Sequence, residues 1–113
     1  MLVEDHEDTL RIIARLLERQ GYTVRPARSV SEALDLAAGE RFDLLVSDLN
    51  LPDGSGHDVM RFVKERYGLR GIALSGFGRE VDIQRSRDAG FQAHLVKPVD
   101  IQVLSRKIEA VAT

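Results

Sequence analysis

Five side chains that are able to do chemistry together each follow a short apolar run of this chain. They are three carboxylates, one hydroxyl and one amine: Glu4, Asp5, Asp48, Ser75 and Lys97. Each alone has an ordinary explanation, because acidic residues favour helix starts, serines occupy turns and lysines are usually solvated. Those explanations do not account for four predicted strands that all end on such groups. If the strand ends meet, the carboxylates repel one another, and a hard divalent cation such as Mg²⁺ relieves that repulsion.

The chemistry that suits these groups is phosphoryl transfer to a carboxylate. With a divalent cation bound, Asp48 can attack a phosphoryl group and form an aspartyl phosphate. The transfer depends on placement and on the cations and donors around the phosphoryl oxygens. Lys97 offers a positive charge and Ser75 offers a hydroxyl donor. The amide of Gly76 can approach closely because glycine has no side chain.

The segment that must position Asp48 is FDLLVSDLNLPDGSG, residues 42–56. Its apolar run, 44–46, is typical of a strand that is buried on both faces. The run ends on Asp48, and Pro52 with the glycines that follow it predicts a turn. A carboxylate at the carboxyl end of a central strand lies where open parallel sheets bind ligands.

Strand and helix patterns alternate along the whole chain, five of each. This predicts one α/β domain over residues 1–113, a doubly wound (βα)5 flavodoxin-like sandwich. Because Pro26 favours an edge position for the strand 22–27, the expected order of the parallel five-stranded sheet is 2-1-3-4-5. The first strand, Leu2-Val3, is unusually short, and we expect it to be truncated at its amino end.

The composition is that of an ordinary folded domain, with 43% hydrophobic residues, 30% charged residues and a net charge of −2. The two signs of charge are interspersed, which gives neither a nucleic-acid footprint nor a polybasic membrane patch. The absence of cysteine excludes disulfides and thiolate metal sites. We therefore expect the domain by itself to contact neither nucleic acid nor a membrane.

Four segments of the chain together resemble the receiver domain of two-component response regulators. They match in order and spacing: LVED at 2–5, SDLNLPDGSG at 47–56, ALSGFG at 73–78 and HLVKP at 94–98. The resemblance implies a signalling switch that accepts a phosphoryl group from a phosphohistidine of a histidine kinase or a histidine phosphotransfer domain. It implies a cytoplasmic location and self-catalysed phosphorylation and dephosphorylation rather than turnover of a separate substrate. The amino-acid sequences of these segments are also similar to those of receivers that are attached to hybrid histidine kinases.

For the metal, the resemblance implies Mg²⁺, or Mn²⁺ in its place, beside a phosphoacceptor at Asp48. Asp5 and Asp48 would bind the ion directly, together with the backbone carbonyl of Asn50, and Glu4 would act through water. His6 next to the acidic pair suggests zinc as an alternative, but a set that is otherwise all oxygen favours magnesium.

For the switch, the resemblance implies that Ser75, Lys97 and the Gly76 backbone bind the phosphoryl group. His94 stands where the family often has Tyr or Phe, so it would change rotamer with Ser75, although imidazole is smaller and titratable. Its alternative role is that of a strand side chain bonded to local polar groups. The face formed by residues 79–113 would report the phosphorylation state and offers a surface for a homodimer.

Two other functions stay open at the level of the sequence. Receiver-like domains can act as docking modules without phosphorylation, but they usually lack one of the acidic, hydroxyl or lysine positions that this chain keeps. A phosphatase of the haloacid dehalogenase type also uses a strand-end Asp and magnesium, but its nucleophile lies on the first strand in a D-x-D setting. We further expect a cis bond before Pro98, as the family usually has, and His6 and His57 to face solvent.

Overall fold

The main sheet has five parallel strands and is flanked by a small hairpin. A computed structural model describes residues 1–112, and its strands in chain order are β1 (Leu2–Val3), β2 (Pro26–Ala27), β3 (Leu44–Asp48), β4 (Asn50–Leu51), β5 (Gly54–Ser55), β6 (Arg70–Ser75) and β7 (Ala93–Val96). The main sheet runs β2-β1-β3-β6-β7, and all of its pairs are parallel. This is the predicted order, with the two hairpin strands β4 and β5 counted separately.

Five helices cover the two faces of this sheet. They are α1 (Glu7–Arg19), α2 (Val30–Gly39), α3 (Gly56–Tyr67), α4 (Glu80–Ala89) and α5 (Ile101–Ala112). Apolar residues of α1 and α5 share one buried cluster, while those of α2, α3 and α4 share the other. None of the helices in residues 1–112 combines the length and the apolar character needed to cross a bilayer.

The central strand β3 shows how one sheet supplies both cores. Leu45 packs into the cluster with α2 and α3, whereas Leu44 and Val46 pack into the cluster with α1 and α5. Successive side chains of a strand point to opposite faces, so a strand covered on both faces must be apolar throughout. This confirms the prediction from the run 44–46 and places Asp48 at the carboxyl end of the middle strand.

The edge strand and the turn after Asp48 differ from expectation in their extent. The strand predicted over 22–27 is an edge strand, but regular pairing is confined to Pro26–Ala27. The carbonyls of Arg25 and Ala27 accept hydrogen bonds from the amides of Leu2 and Glu4, and Pro26 between them has no amide hydrogen to donate. The predicted turn is organised as the antiparallel hairpin β4–β5, with Asn50 paired to Ser55.

Two helices that flank the site begin where side chains cap them. The Ser29 hydroxyl accepts a hydrogen bond from the Glu32 amide at 3.1 Å and caps α2. Asp100 accepts one from the Gln102 amide at 2.8 Å at the start of α5. The peptide bond between Lys97 and Pro98 is cis, which confirms that expectation.

Candidate functional site

A lysine from the last strand joins carboxylates from two other strands at the carboxyl edge of the sheet. The Lys97 Nζ donates to Glu4 Oε1 at 2.8 Å and to Asp48 Oδ2 at 2.9 Å. Glu4 is fully buried and Asp48 is 5% exposed, whereas 27% of the Lys97 side chain is exposed. Residues separated by up to 93 positions in sequence therefore meet at one point, as the alternating pattern predicts.

Backbone hydrogen bonds hold Asp48 in place from both sides. Its Oδ1 accepts a bond from the Asn50 amide at 3.2 Å, and the next residue, Leu49, donates to the Leu74 carbonyl of β6 at 3.2 Å. Gly56 packs so closely that a Cβ atom there would collide with the Asp48 carbonyl oxygen. The start of α3 is thus pressed against the peptide group of Asp48, and only glycine permits this approach.

The two buried carboxylates have pKa values that are displaced in opposite directions. Burial raises the pKa of Glu4, and the neighbouring Asp48 carboxylate raises this pKa further. Burial also opposes ionisation of Asp48, but the contacts with Glu4 and Lys97 hold the pKa of Asp48 below its usual value. For Lys97 burial acts against the charged form, yet the bonds to Asp48 and Glu4 raise its pKa. Asp48 is therefore the more readily ionised carboxylate of the pair, and Lys97 is the cation bonded to it.

Asp5 adds a third carboxylate whose Oδ1 atom is buried without a hydrogen bond. Nδ1 of the exposed His6 lies 3.3 Å from this Oδ1 atom. Ligand atoms of Glu4, Asp5 and His6 all lie within 4.8 Å of one another. An unsatisfied buried carboxylate oxygen beside the Glu4 carboxylate fits a hard cation with oxygen ligands, because such an ion would satisfy that atom. The residues therefore fit Mg²⁺, and His6 is the one nitrogen donor at the rim of that cluster.

Ser75 closes β6 at the same edge, with its hydroxyl directed into the following loop. It is almost fully buried, and its Oγ accepts a hydrogen bond from the Phe77 amide at 3.0 Å. The Ser75 carbonyl also accepts one from the Lys97 amide at 2.7 Å, which ties β6 to β7 at the site. Gly76 is exposed, and a Cβ atom placed on it would meet nothing within 4 Å.

His94 and His57 are both held by hydrogen bonds, and for His94 these match its alternative role of a strand side chain bonded to local polar groups. His94 Nε2 lies 2.8 Å from the Phe77 carbonyl, and Nδ1 lies 3.0 Å from the Ser86 hydroxyl on α4. The expectation that His57 faces solvent is wrong, because its Nδ1 bonds Ser55 Oγ at 2.9 Å and its ring packs edge-on against Phe91. Burial lowers the pKa of His57. His6 is exposed, as expected.

Comparison with known proteins identifies the family. The family model for the response regulator receiver domain matches residues 1–109. The chain is 36% identical over 104 residues to the polar-differentiation response regulator DivK of Brucella anthropi, covering 89% of this chain and 85% of that protein. A CheY-like receiver domain protein from Methanospirillum hungatei superposes with a TM-score of 0.88 at 31% identity, covering 96% and 88% of the two chains.

A third similar protein has a crystal structure that includes a modified site. This response regulator from Burkholderia pseudomallei, described with a phosphorylated aspartic acid, a calcium ion and citrate, superposes with a TM-score of 0.84 at 27% identity. The match covers 96% of this chain and 69% of that one. Over nearly its whole length, this chain therefore belongs to the response regulator receiver domain family of two-component signalling.

Proposed function

We propose that this domain is a phosphorylation-activated switch in which Asp48 accepts a phosphoryl group from a phosphohistidine. The observation that carries the proposal is the bond of Lys97 to both Glu4 and Asp48 at the carboxyl edge of the sheet. It places Asp48, whose pKa is lowered, beside the Lys97 ammonium, and an ionised carboxylate is the nucleophile that the reaction needs. The phosphorylated aspartic acid of the Burkholderia relative supports the same chemistry on this fold.

In the proposed transfer, a carboxylate oxygen of Asp48 attacks phosphorus. An O–P bond forms while the N–P bond of the donor breaks, and the donor imidazole leaves with the electron pair. Lys97 stabilises the added negative charge, and the Ser75 hydroxyl and the Gly76 amide donate to the phosphoryl oxygens. Hydrolysis resets the switch when water attacks the phosphorus and the Asp48 carboxylate leaves.

The same site would hold Mg²⁺, or Mn²⁺, through Asp5, Asp48 and the Asn50 carbonyl, with Glu4 acting through water. A bound divalent cation supplies positive charge that shields the carboxylates and the transferring phosphoryl group. The unsatisfied Asp5 Oδ1 is the observation that favours this ligand set. The full set of carboxylates also argues against the docking-module alternative, because such modules usually lack one of these positions.

The proposed output surface is the face formed by residues 79–113 and the loop before it. Three apolar side chains are about half exposed there, at 56%, 56% and 47%: Phe77, Val81 and Val96. Exposed apolar groups that adjoin one another are suited to a partner surface. We propose that a shift of Ser75 and His94 alters this face and that this face can mediate a homodimer.

The phosphoryl donor would be a histidine kinase or a phosphotransfer domain in the cytoplasm, and the parent chain can be a hybrid histidine kinase.

The test is the intact mass of the protein after incubation with a small-molecule phosphodonor, with and without magnesium. We expect the gain of one phosphoryl group, dependent on magnesium, labile in alkali and lost in Asp48→Asn. Asp43→Asn is the matched control, because the same chemical change falls on an exposed residue just before the opposite end of β3. Full labelling of Asp48→Asn would rule out the assignment. Failure of both the phosphodonor and a phosphorylated histidine donor to label the wild type would favour a docking module.

A further inference from the structure

The imidazole of His94 bridges the loop after β6 and helix α4. The proposed phosphoryl transfer does not use this bridge. The Nε2 atom of His94 lies 2.8 Å from the carbonyl of Phe77, in the loop after β6. Its Nδ1 atom lies 3.0 Å from the hydroxyl of Ser86, which is 1% exposed under α4. The Ser86 hydroxyl in turn donates to the Ile83 carbonyl at 2.8 Å. These contacts form one continuous chain from the loop through β7 into α4.

Counting hydrogens along this chain determines what the His94 ring must carry. A carbonyl oxygen only accepts, so Nε2 must be protonated to bond Phe77. The single hydrogen of the Ser86 hydroxyl is donated to Ile83, so its oxygen faces Nδ1 as an acceptor. All three bonds therefore form together only when both ring nitrogens are protonated. When the ring is neutral, two lone pairs face each other, or Ser86 must release Ile83 and turn towards Nδ1.

The charged groups around His94 come from the loop, α4 and α3. Asp82 of α4 lies close enough that the positive ring contributes to lowering the pKa of Asp82, after the larger effect of its pair with Arg79. His57 of α3 is the opposing group, because a charged His94 disfavours a second charge there. The Asp82 carboxylate therefore attracts a positive ring at His94, whereas His57 and Arg85, which line one pocket with Asp82, oppose a further positive charge.

We propose that His94 and Ser86 form a proton-dependent latch on the loop after β6, with Ser86 as the positioning residue. The latch is the set of His94, Ser86 and the Phe77 carbonyl. Phe77 also donates its amide hydrogen to Ser75 Oγ at 3.0 Å, so one residue connects the latch to the proposed phosphoryl-binding hydroxyl. Protonation of His94 then stabilises the loop conformation seen here, and loss of that proton loosens it. The link to signalling rests on the proposed function, but the latch itself is a property of the resting protein.

The first experiment uses the unphosphorylated full chain labelled with ¹⁵N in its three histidines. The ¹⁵N shifts of the His94 ring identify an acidic pH at which both ring nitrogens carry a proton and a higher pH at which only Nε2 does. The state of the loop is measured by the protection factor of the Phe77 amide. This factor is the solvent-exchange rate of an unstructured amide at the same pH divided by the exchange rate of the Phe77 amide. We expect this protection to be about fivefold higher at the acidic pH. That ratio corresponds to about 1 kcal/mol, the extra strength of a charged hydrogen bond over a neutral one.

Three variants separate the latch from a merely structural contact. His94→Gln keeps a donor for Phe77 but cannot titrate, so its acid-to-neutral protection ratio should be one. Ser86→Ala removes the acceptor for Nδ1 and should lower the ratio while leaving the loop folded. His57→Gln removes the neighbouring imidazole and should keep the wild-type ratio. Equal protection at both pH values in the wild type, or an unchanged ratio in Ser86→Ala, would overturn the latch.

The second experiment measures the coupling to phosphorylation. Phosphorylation of Asp48 should change the solvent-exchange protection of the Phe77 amide. We expect the size of this change to differ between the two pH values in the wild type and to be the same at both in His94→Gln. An identical response in the wild type would overturn the link between the latch and the switch. If Asp48 takes up no phosphoryl group, the proposed function fails, whereas the resting-state ratio still decides whether the latch exists.

Discussion

Replacing Lys97 with methionine removes the only cation that bonds the buried carboxylates within residues 1–112. Methionine keeps the length of the side chain and loses the ammonium group. Removal of one partner from a buried ion pair costs about 3–5 kcal/mol, because the remaining charge stays buried without compensation. Since about a quarter of the Lys97 side chain is exposed, we take the lower end, about 3 kcal/mol. An unfolding entropy of about 2 cal/mol/K per residue converts this loss to about 13 °C in Tm.

The pH dependence of this loss has a definite sign. The pKa of Asp48 is lowered in the folded protein, so its ionised form contributes stability above the unfolded value of 3.8. That contribution disappears as the pH falls through the lower folded pKa, where the carboxylate is protonated and needs no cation. The difference in the free energy of unfolding between wild type and Lys97→Met should therefore be complete near neutrality and shrink below about pH 4.

The assay is thermal unfolding followed by circular dichroism between acid and neutral pH, repeated with magnesium. A divalent cation would restore positive charge beside Asp48 and Glu4, so magnesium should raise the Tm of Lys97→Met more than that of the wild type. An ion at 100 times its Kd contributes about 2.7 kcal/mol, enough to recover most of the loss. Lys107→Met, at an exposed position of α5, is the control and should leave the Tm within about 2 °C. A loss that is the same at every pH, or equal magnesium effects on both proteins, would refute the reasoning.

Two further predictions concern the loop that carries Asp48. Gly56→Ala should lower both the Tm and the yield of phosphorylated protein, because its Cβ would collide with the Asp48 carbonyl, whereas Gly76→Ala meets open space and should be tolerated; equal yields in the two variants would count against this. Asp53 accepts bonds from the first two amides of α2 at 2.8 and 2.9 Å, and these bonds lower its pKa. Asp53→Asn should thus lower the Tm near neutral pH and lose this effect in acid, while the exposed α2 variant Asp35→Asn should show neither change.

The order of the sheet could be predicted because a few residues have strong local effects. The run Leu44–Val46 is apolar at every position, which requires cover on both faces, and Pro26 restricts its strand to an edge. Right-handed crossovers between such strands leave few topologies. The strand predicted over 22–27 is longer than the observed strand, Pro26–Ala27. A sequence pattern indicates which residues are extended, but it does not show which backbone groups find hydrogen-bond partners.

The position of the candidate site follows from the fold, but its internal bonds do not. Glu4, Asp48 and Lys97 converge because each follows a parallel strand, and this depends only on topology. The burial of His57 and the bond between Ser86 and His94 depend on rotamers at helix–sheet contacts, which leave no spacing pattern in the sequence. Ser86 is recognisable as a core-facing residue of a weakly amphipathic helix, and a buried hydroxyl must find a partner. This requirement predicts a polar partner for Ser86, and the alternative role of His94 predicts a polar partner for its ring.

The number of hydrogens on Lys97 determines how the resting site can accommodate a phosphoryl group. An ammonium group has three hydrogens, and the structure shows two of them donated, to Glu4 and to Asp48. A phosphoryl group on Asp48 would therefore find the third hydrogen available, and Lys97 need not release Glu4 to bind it. Arginine offers its donors in a rigid planar fork, so it cannot reproduce this three-way arrangement around one nitrogen. It follows that Lys97→Arg keeps the charge and still disturbs the site, because the donors, and not only the charge, must converge on three acceptors.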